Sequence, residues 1–180
     1  MTKVGIVVGS IRKNSFSEQL ANNIIERFPE DFKAEFIEIA NLPLYNQDSD
    51  ENVPEVYTNF RDTVKALDAV VFVTPEHNRS FPAALKNALD VGSRPYGSNV
   101  WDGKPALIVS QSPSNLSGFG ANHHLRQVLA FLNMPVVQQP EVYIANVMDL
   151  LGQDGKITNQ DTINFLKTVV DTYVEFVKKH

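Results

Sequence analysis

The chain contains no cysteine. That absence removes disulfide scaffolds, thiolate nucleophiles, cysteine-ligated zinc and iron–sulfur clusters together. Positive charge is also in short supply: 16 Lys and Arg stand against 21 Asp and Glu, a formal charge of −5. Nucleic-acid binding through a basic face needs the opposite balance, because phosphate affinity comes from concentrated Lys and Arg. No apolar run approaches the roughly 18 residues of a membrane span. The opening segment, Met1 to Ser15, has one short Val/Ile stretch, too brief for the apolar region of a signal peptide. It reads as a buried first strand, and the expected location is the cytoplasm. The histidines number four, His77, His123, His124 and His180. His123 and His124 are adjacent on a helical stretch, where neighbours point about 100° apart. They do not converge on one ion, and no metal site is expected.

What is present is a globular composition, 43% hydrophobic and 21% charged, over 180 residues, which suits one domain spanning 1–180. Short apolar runs alternate with helical stripes. Val4–Val8 is a run of strand length, after which Phe16, Leu20, Ile24 and Phe28 recur at helical spacing. Phe36–Ile39 reads as a second strand, and Tyr57, Phe60, Val64 and Leu67 as the next helix. Ala69–Val73 is the third strand, followed by a helix from Pro82, where a missing N–H costs nothing. Pro105–Ser110 is the fourth strand, and Leu125, Val128, Leu129 and Leu132 stripe its helix. Two segments compete for the fifth strand, Pro135–Gln138 and Glu141–Ala145; the last helix carries Ile163, Leu166, Val170, Tyr173 and Val177. Strands that are apolar throughout suit a sheet covered on both faces, and alternation with helices implies right-handed βαβ crossovers. The expected fold is therefore α/β, a three-layer sandwich with a five-stranded parallel sheet and helices on both faces.

Ligands of such sheets bind beyond the carboxyl ends of the strands, at the switch point in strand order. Three loops meet that description. The first, Gly9 to Ser17, joins the first strand to the first helix and offers helix N–H groups, the hydroxyls of Ser10, Ser15 and Ser17, and the Arg12 guanidinium. Together they suit a phosphate dianion. Ser15 and Glu18 also fit a capping box, which accounts for one serine but not for Gly9-Ser10 and Arg12 beside it. Neither G-x-G-x-x-G nor G-x-x-x-x-G-K-[ST] occurs, which turns the reading from dinucleotide and P-loop sites to a flavodoxin-like mononucleotide site. The second loop, Thr74 to Pro82, holds Glu76, His77 and Asn78 between two prolines that bias their predecessors to extended conformations. It suits the edge of a planar heterocycle, and equally a plain turn. The third, Ser110 to Gly120, is rich in serine and glycine; it admits backbone close to a flat ligand and is also ordinary for a loop before a helix.

At these loops the chain resembles the NADPH-dependent FMN reductase family, the flavodoxin-like group of quinone, azo-dye and chromate reductases. The family pattern G-S-x-R-x-x-S appears as Gly9-Ser10-Ile11-Arg12-Lys13-Asn14-Ser15. The longer signature P-E-Y-N-x-S-x-P-G-x-L-K-N-A-I-D-W-x-S-R is matched, with departures, from Pro75 to Arg94. The resemblance implies that Ser10, Arg12, Ser15, Phe16 and Ser17 hold the FMN phosphate. It places Pro75, Glu76, His77 and Asn78 along the isoalloxazine, and Ser112 near the ring or ribityl chain. The departures are His77 for Tyr, Ala83 for Gly, Val91-Gly92 for Trp-x, Ser17 for Asn, and Ser117-Gly118 for a glycine pair.

The implied activity is an FMN-dependent NAD(P)H oxidoreductase, exchanging hydride in two steps between NADPH or NADH and a quinone, azo compound, free flavin or similar small acceptor. The flavin carries that chemistry, so no catalytic side chain is assigned. Backbone amides around His77 and Asn78 are expected to stabilise negative charge on the reduced ring. Glu76 reads either as a general acid or as a hydrogen-bond acceptor. A homodimer or homotetramer is implied. Two alternatives stand beside this reading, a flavodoxin-like electron carrier and a non-enzymatic binding or regulatory module of the same fold.

Overall fold

Each apolar run becomes a strand buried from both sides. The computed structural model describes residues 1–180. Strands β1 (Thr2–Val8), β2 (Phe32–Phe36), β3 (Ala69–Pro75), β4 (Ala106–Gln111) and β5 (Val142–Ile144) form one sheet, ordered β2-β1-β3-β4-β5, with every pairing parallel. The helices are α1 (Phe16–Ile25), α2 (Glu55–Lys65), α3 (Ala83–Ser93), α4 (Phe119–Phe131), the single turn α5 (Val147–Leu150) and α6 (Gln160–Val177). Successive strand residues face opposite sides of a sheet. Val70 and Phe72 accordingly pack with Phe60, Val64, Leu85 and Leu125, while Val71 and Val73 pack with Leu20, Ile24, Leu166 and Val170. So α2, α3 and α4 cover one face, and α1 and α6 the other. This is the expected three-layer flavodoxin-like α/β sandwich.

Two strands lie elsewhere than the apolar pattern suggests. β2 runs over Phe32–Phe36, not Phe36–Ile39. As an edge strand paired only with β1 it needs apolar cover less, and Lys33 and Glu35 sit in it. Ile37 and Ile39, which made the later segment look like a strand, are buried just past its end, against Tyr57 and Phe60. The competition for the fifth strand also has a physical resolution. Glu141–Ala145 supplies β5, Val142–Ile144, but Pro135–Val137 pairs with the start of β4 through Ala106. Both segments run along one strand, with Gln138–Glu141 looping out between them.

The Val91-Gly92 departure has a packing explanation. Trp101, fully buried, lays its indole over Gly92, and its Nε1 donates to the Leu89 carbonyl at 3.1 Å. A β-carbon at Gly92 would stand 2.6 Å from Trp101 Cε2, inside van der Waals contact. Gly92→Ala should therefore overpack this core and lower stability by about 1–3 kcal/mol. Urea unfolding should show an earlier midpoint with an unchanged slope.

Candidate functional site

Parallel strands release their loops at one edge of a sheet. The ladders bring Val8 beside Val73 and Pro75 beside Gln111, so the loops after β1, β3 and β4 emerge as neighbours. The three loops singled out in the sequence form one surface.

In the first loop, Ser15 caps α1: its Oγ accepts from the Glu18 N–H at 3.1 Å. The capping reading of Ser15 and Glu18 is thus realised for the serine. Asn14 turns the chain through a left-handed conformation, φ +52°. The amide of Arg12 approaches Ser10 Oγ at 3.4 Å. The remaining N–H groups of Ser10, Ile11, Lys13, Asn14, Ser15, Phe16 and Ser17 make no hydrogen bond within the chain. Arg12 is exposed, pairs with no carboxylate, and lies over the Phe16 ring with Cζ 5.3 Å from its centroid. Free amides at a helix N-terminus with an unpaired guanidinium form a donor set suited to an anion. A cavity of about 500 Å³ borders Ser10, Arg12 and Asn14 on the β2 side, where Phe36 and Glu38 form its far wall. Ser17 differs from its neighbours. It is fully buried under the loop, and its Oγ accepts from Gln111 Nε2 at 2.9 Å. The structure therefore does not bring the Ser17 hydroxyl to the surface with Ser10 and Arg12.

The second loop is a two-residue hairpin. His77 and Ser80 exchange both backbone hydrogen bonds, at 2.7 and 2.9 Å, around Asn78 and Arg79 at φ +51° and +67°. Two consecutive positive φ values are those of a type I′ turn. One expectation needs correcting here: the His77 N–H is committed to the Ser80 carbonyl, so it is not available to a ligand. The N–H groups of Glu76, Asn78 and Arg79 are free, and the exposed His77 imidazole makes no hydrogen bond within the chain. Glu76 is a hydrogen-bond acceptor. Its Oε2 accepts from the Ala121 N–H at 3.1 Å, while its Oε1 takes the Arg79 guanidinium at 3.1 Å. The N-cap position of α4 is Gly118, which has no side chain to cap with, so Glu76 caps the helix from the neighbouring loop. The close approach leaves no room at Gly120, where a β-carbon would lie 2.7 Å from the Arg79 carbonyl oxygen.

In the third loop, Ser112 is partly buried, and its hydroxyl lies 3.0 Å from Ser114 Oγ. Ser117 adopts φ +59° and Gly118 +76°, so a serine takes a left-handed conformation that costs about 1–2 kcal/mol for a side chain. Ser110 Oγ offsets this by donating to the Ser117 carbonyl at 3.1 Å, and Asn122 Nδ2 in turn donates to Ser110 Oγ at 3.3 Å.

A family model for NADPH-dependent FMN reductase matches residues 2–149. The chain belongs to the NADPH-dependent FMN reductase family. It is 49% identical over 176 residues to a quinone reductase of Pseudomonas putida, covering 97% of this chain and 94% of the relative. It is 42% identical over 176 residues to a 2-hydroxy-1,4-benzoquinone reductase of Burkholderia sp, with 98% and 96% covered. Among solved structures it is similar to FerB, a flavoenzyme NAD(P)H:(acceptor) oxidoreductase of Paracoccus denitrificans, with a TM-score of 0.94 and 34% identity over 100% of this chain and 99% of that one.

Within this FMN reductase chain the long signature turns out to do two jobs. Its first half builds the hairpin and the α4 cap. Its second half anchors the segment between β2 and α2: Asn87 accepts from the Tyr45 N–H and donates to the carbonyls of Leu42 and Pro43. Arg94 pairs with Asp50, and that bond holds the Asp50 carboxyl below its ordinary range. Arg61 is buried without a carboxylate and donates instead to carbonyls of Val91, Gly92 and Arg94 at the end of α3 and of Ser98 beyond it. Apolar spacing carries no signal for these roles of Gln111 and Asn87, whose partners lie 94 and 42 residues away in Ser17 and Tyr45. The two adjacent histidines diverge as their spacing requires. His123 Nε2 meets the Tyr143 hydroxyl at 3.0 Å and His124 Nδ1 meets Ser80 Oγ at 3.1 Å. The Tyr143 hydroxyl is pushed up to about 12, first by burial and then by Glu141 beside it.

Replacing Glu76 by Ala removes the α4 cap and should cost about 1 kcal/mol of stability. Glu76→Gln keeps an acceptor for the Ala121 N–H and should lose less, as read by thermal unfolding of the three proteins side by side.

Proposed function

We propose that this chain is an FMN-dependent NAD(P)H oxidoreductase that reduces quinones or similar small acceptors, built as one FMN-binding domain over 1–180. The observation that carries the reading is the donor set of the first loop: seven amides without partners, at the N-terminus of α1, beside an exposed and unpaired Arg12. In a chain of net charge −5 such a cluster is a local exception, and it fits a phosphate dianion. Ser10, Arg12, Ser15 and the Phe16 amide hold the phosphate in this reading, with Ser17 supporting them from beneath.

When bound, FMN supplies a two-electron centre that takes hydride from a nicotinamide and passes it to the acceptor. The chain supplies position and charge. Pro75 to Asn78 would hold the isoalloxazine, and the free N–H groups of Glu76 and Asn78 would donate to it and favour negative charge there. Ser112 lies toward the ring or ribityl chain. Glu76 is no general acid in this scheme, since both of its oxygens are engaged in holding α4 and Arg79. Neither a nucleophile nor a metal is needed. The quinone reductase names of the relatives support a quinone as the acceptor class. The proposal includes a homodimer or homotetramer, for which the family resemblance is the support. It also places the protein in the cytoplasm; no helix is long and apolar enough to cross a membrane.

The test is the visible spectrum of the protein desalted after incubation with FMN, then treated anaerobically with NADPH and with NADH. Retained flavin that bleaches and recovers with a quinone is the expected outcome, and flavin that ignores both nicotinamides supports an electron carrier instead. Charge-assisted hydrogen bonds are worth about 1.5–3 kcal/mol, so Arg12→Ala should weaken FMN binding about 10- to 100-fold. An unchanged FMN affinity in that variant would remove the phosphate assignment.

A further inference from the structure

Gln111 closes β4, and Ser17 lies in the first turn of α1; these two residues, 94 positions apart in the chain, are joined by one side-chain hydrogen bond. Both are buried, Gln111 at 4% exposure and Ser17 at 0%. The bond ties the helix that presents the first loop to the strand that launches the third. In the proposed arrangement the first loop takes the ligand's anionic end and the third lies toward its ring or ribityl chain. Nothing else joins α1 to the end of β4 by side-chain hydrogen bonds.

A second feature accompanies this bond. Gln111 Oε1 is buried and has no hydrogen-bond partner. An unmet acceptor in the interior is destabilising, and only an apolar replacement of both Gln111 and Ser17 would remove it without leaving the serine hydroxyl unmet. A buried polar link with an unmet acceptor in it breaks the local rule for a core, and it does so where two ligand loops are joined.

We infer that Gln111 is a positioning residue: through Ser17 it sets the phosphate loop at the spacing from the third loop that FMN requires. This rests on the assignment of the first loop to the FMN phosphate. Gln111, buried beneath the loops, acts through Ser17 and is assigned no contact with the reacting atoms. Its effect is to let phosphate and ring contacts form at once, so its loss should penalise a ligand that spans both loops and spare one that reaches only the ring loops.

The test is fluorescence titration of the flavin-free protein with FMN and with riboflavin, which lacks the phosphate, for wild type, Gln111→Met, Ser17→Ala and the double variant. Thermal unfolding of the same flavin-free proteins runs in parallel. In Gln111→Met, FMN affinity should fall about 10-fold and riboflavin affinity should stay within about twofold, and the melting temperature should hold in the double variant, which leaves neither the glutamine oxygen nor the Ser17 hydroxyl unmet. The double variant should bind FMN no more weakly than the weaker single one, because both remove the same bond. Equal loss for FMN and riboflavin, unchanged FMN affinity, or additive losses in the double variant would each overturn the link. A wild-type protein that binds riboflavin as tightly as FMN would instead remove the phosphate site, and the inference with it.

Discussion

The parallel ladder joining β1, β3 and β4 is the constraint on which the site depends. A parallel pair cannot be closed by a hairpin; each strand must be followed by a crossover, so every strand begins at one edge and ends at the other. With β1 beside β3 and β3 beside β4 in register, the ends at Val8, Pro75 and Gln111 fall on one line. Whatever the loops contain is then presented together. The order β2-β1-β3-β4-β5 adds the second element, because the chain leaves β1 toward β2 on one side and returns to β3 on the other. The crevice opened by that reversal is where the first loop stands.

Bringing loops together does not fix their shape, and here the structure relies on polar groups in place of apolar packing. Each loop contains residues in left-handed conformations, Asn14, Asn78, Arg79 and Ser117 among them. Such backbones hold only when neighbouring bonds over-determine them. The hairpin is held by the reciprocal His77–Ser80 bonds, α4 by Glu76, and the Ser117 turn by Ser110 and Asn122. These restraints leave the first-loop amides around Ile11 to Phe16, Arg12 apart, and the second-loop amides of Glu76, Asn78 and Arg79 unpaired. A surface of rigid, free donors results, as electrostatic preorganisation requires.

The fold was largely legible in the chain because its signals are local. Apolar runs such as Val4–Val8 and Ala69–Val73 are strands covered on both faces, and no helix could use Gly9 to Ser15 as its continuation. The edge strand was misplaced because an edge strand has the weakest signal of all: Lys33 and Glu35 are tolerated at the rim, while Ile37 and Ile39 are buried just beyond it. The position of the three loops was legible for the same local reasons. Their internal wiring was not. Glu76 could be narrowed to acid or acceptor, but its partner is an amide 45 residues away, and Gln111 reaches Ser17 across 94. Contacts of that span have no periodicity and no spacing to read.

The same distinction separates what a motif's length says from what it does. A signature running from Pro75 to Arg94 invites the reading that all of it touches the cofactor. In three dimensions only its first residues face the shared edge. Asn87 and Arg94 instead secure the long segment between β2 and α2, through Tyr45, Leu42, Pro43 and Asp50. That segment has little regular structure of its own, only a short helical turn at Gln47–Asp50, so its backbone polar groups need partners from elsewhere. One helix thus begins at the ligand edge and, a few turns later, holds the part of the chain most in need of anchoring. The two demands fall on consecutive residues because α3 passes both places, and a long signature follows from geometry without requiring a long binding site.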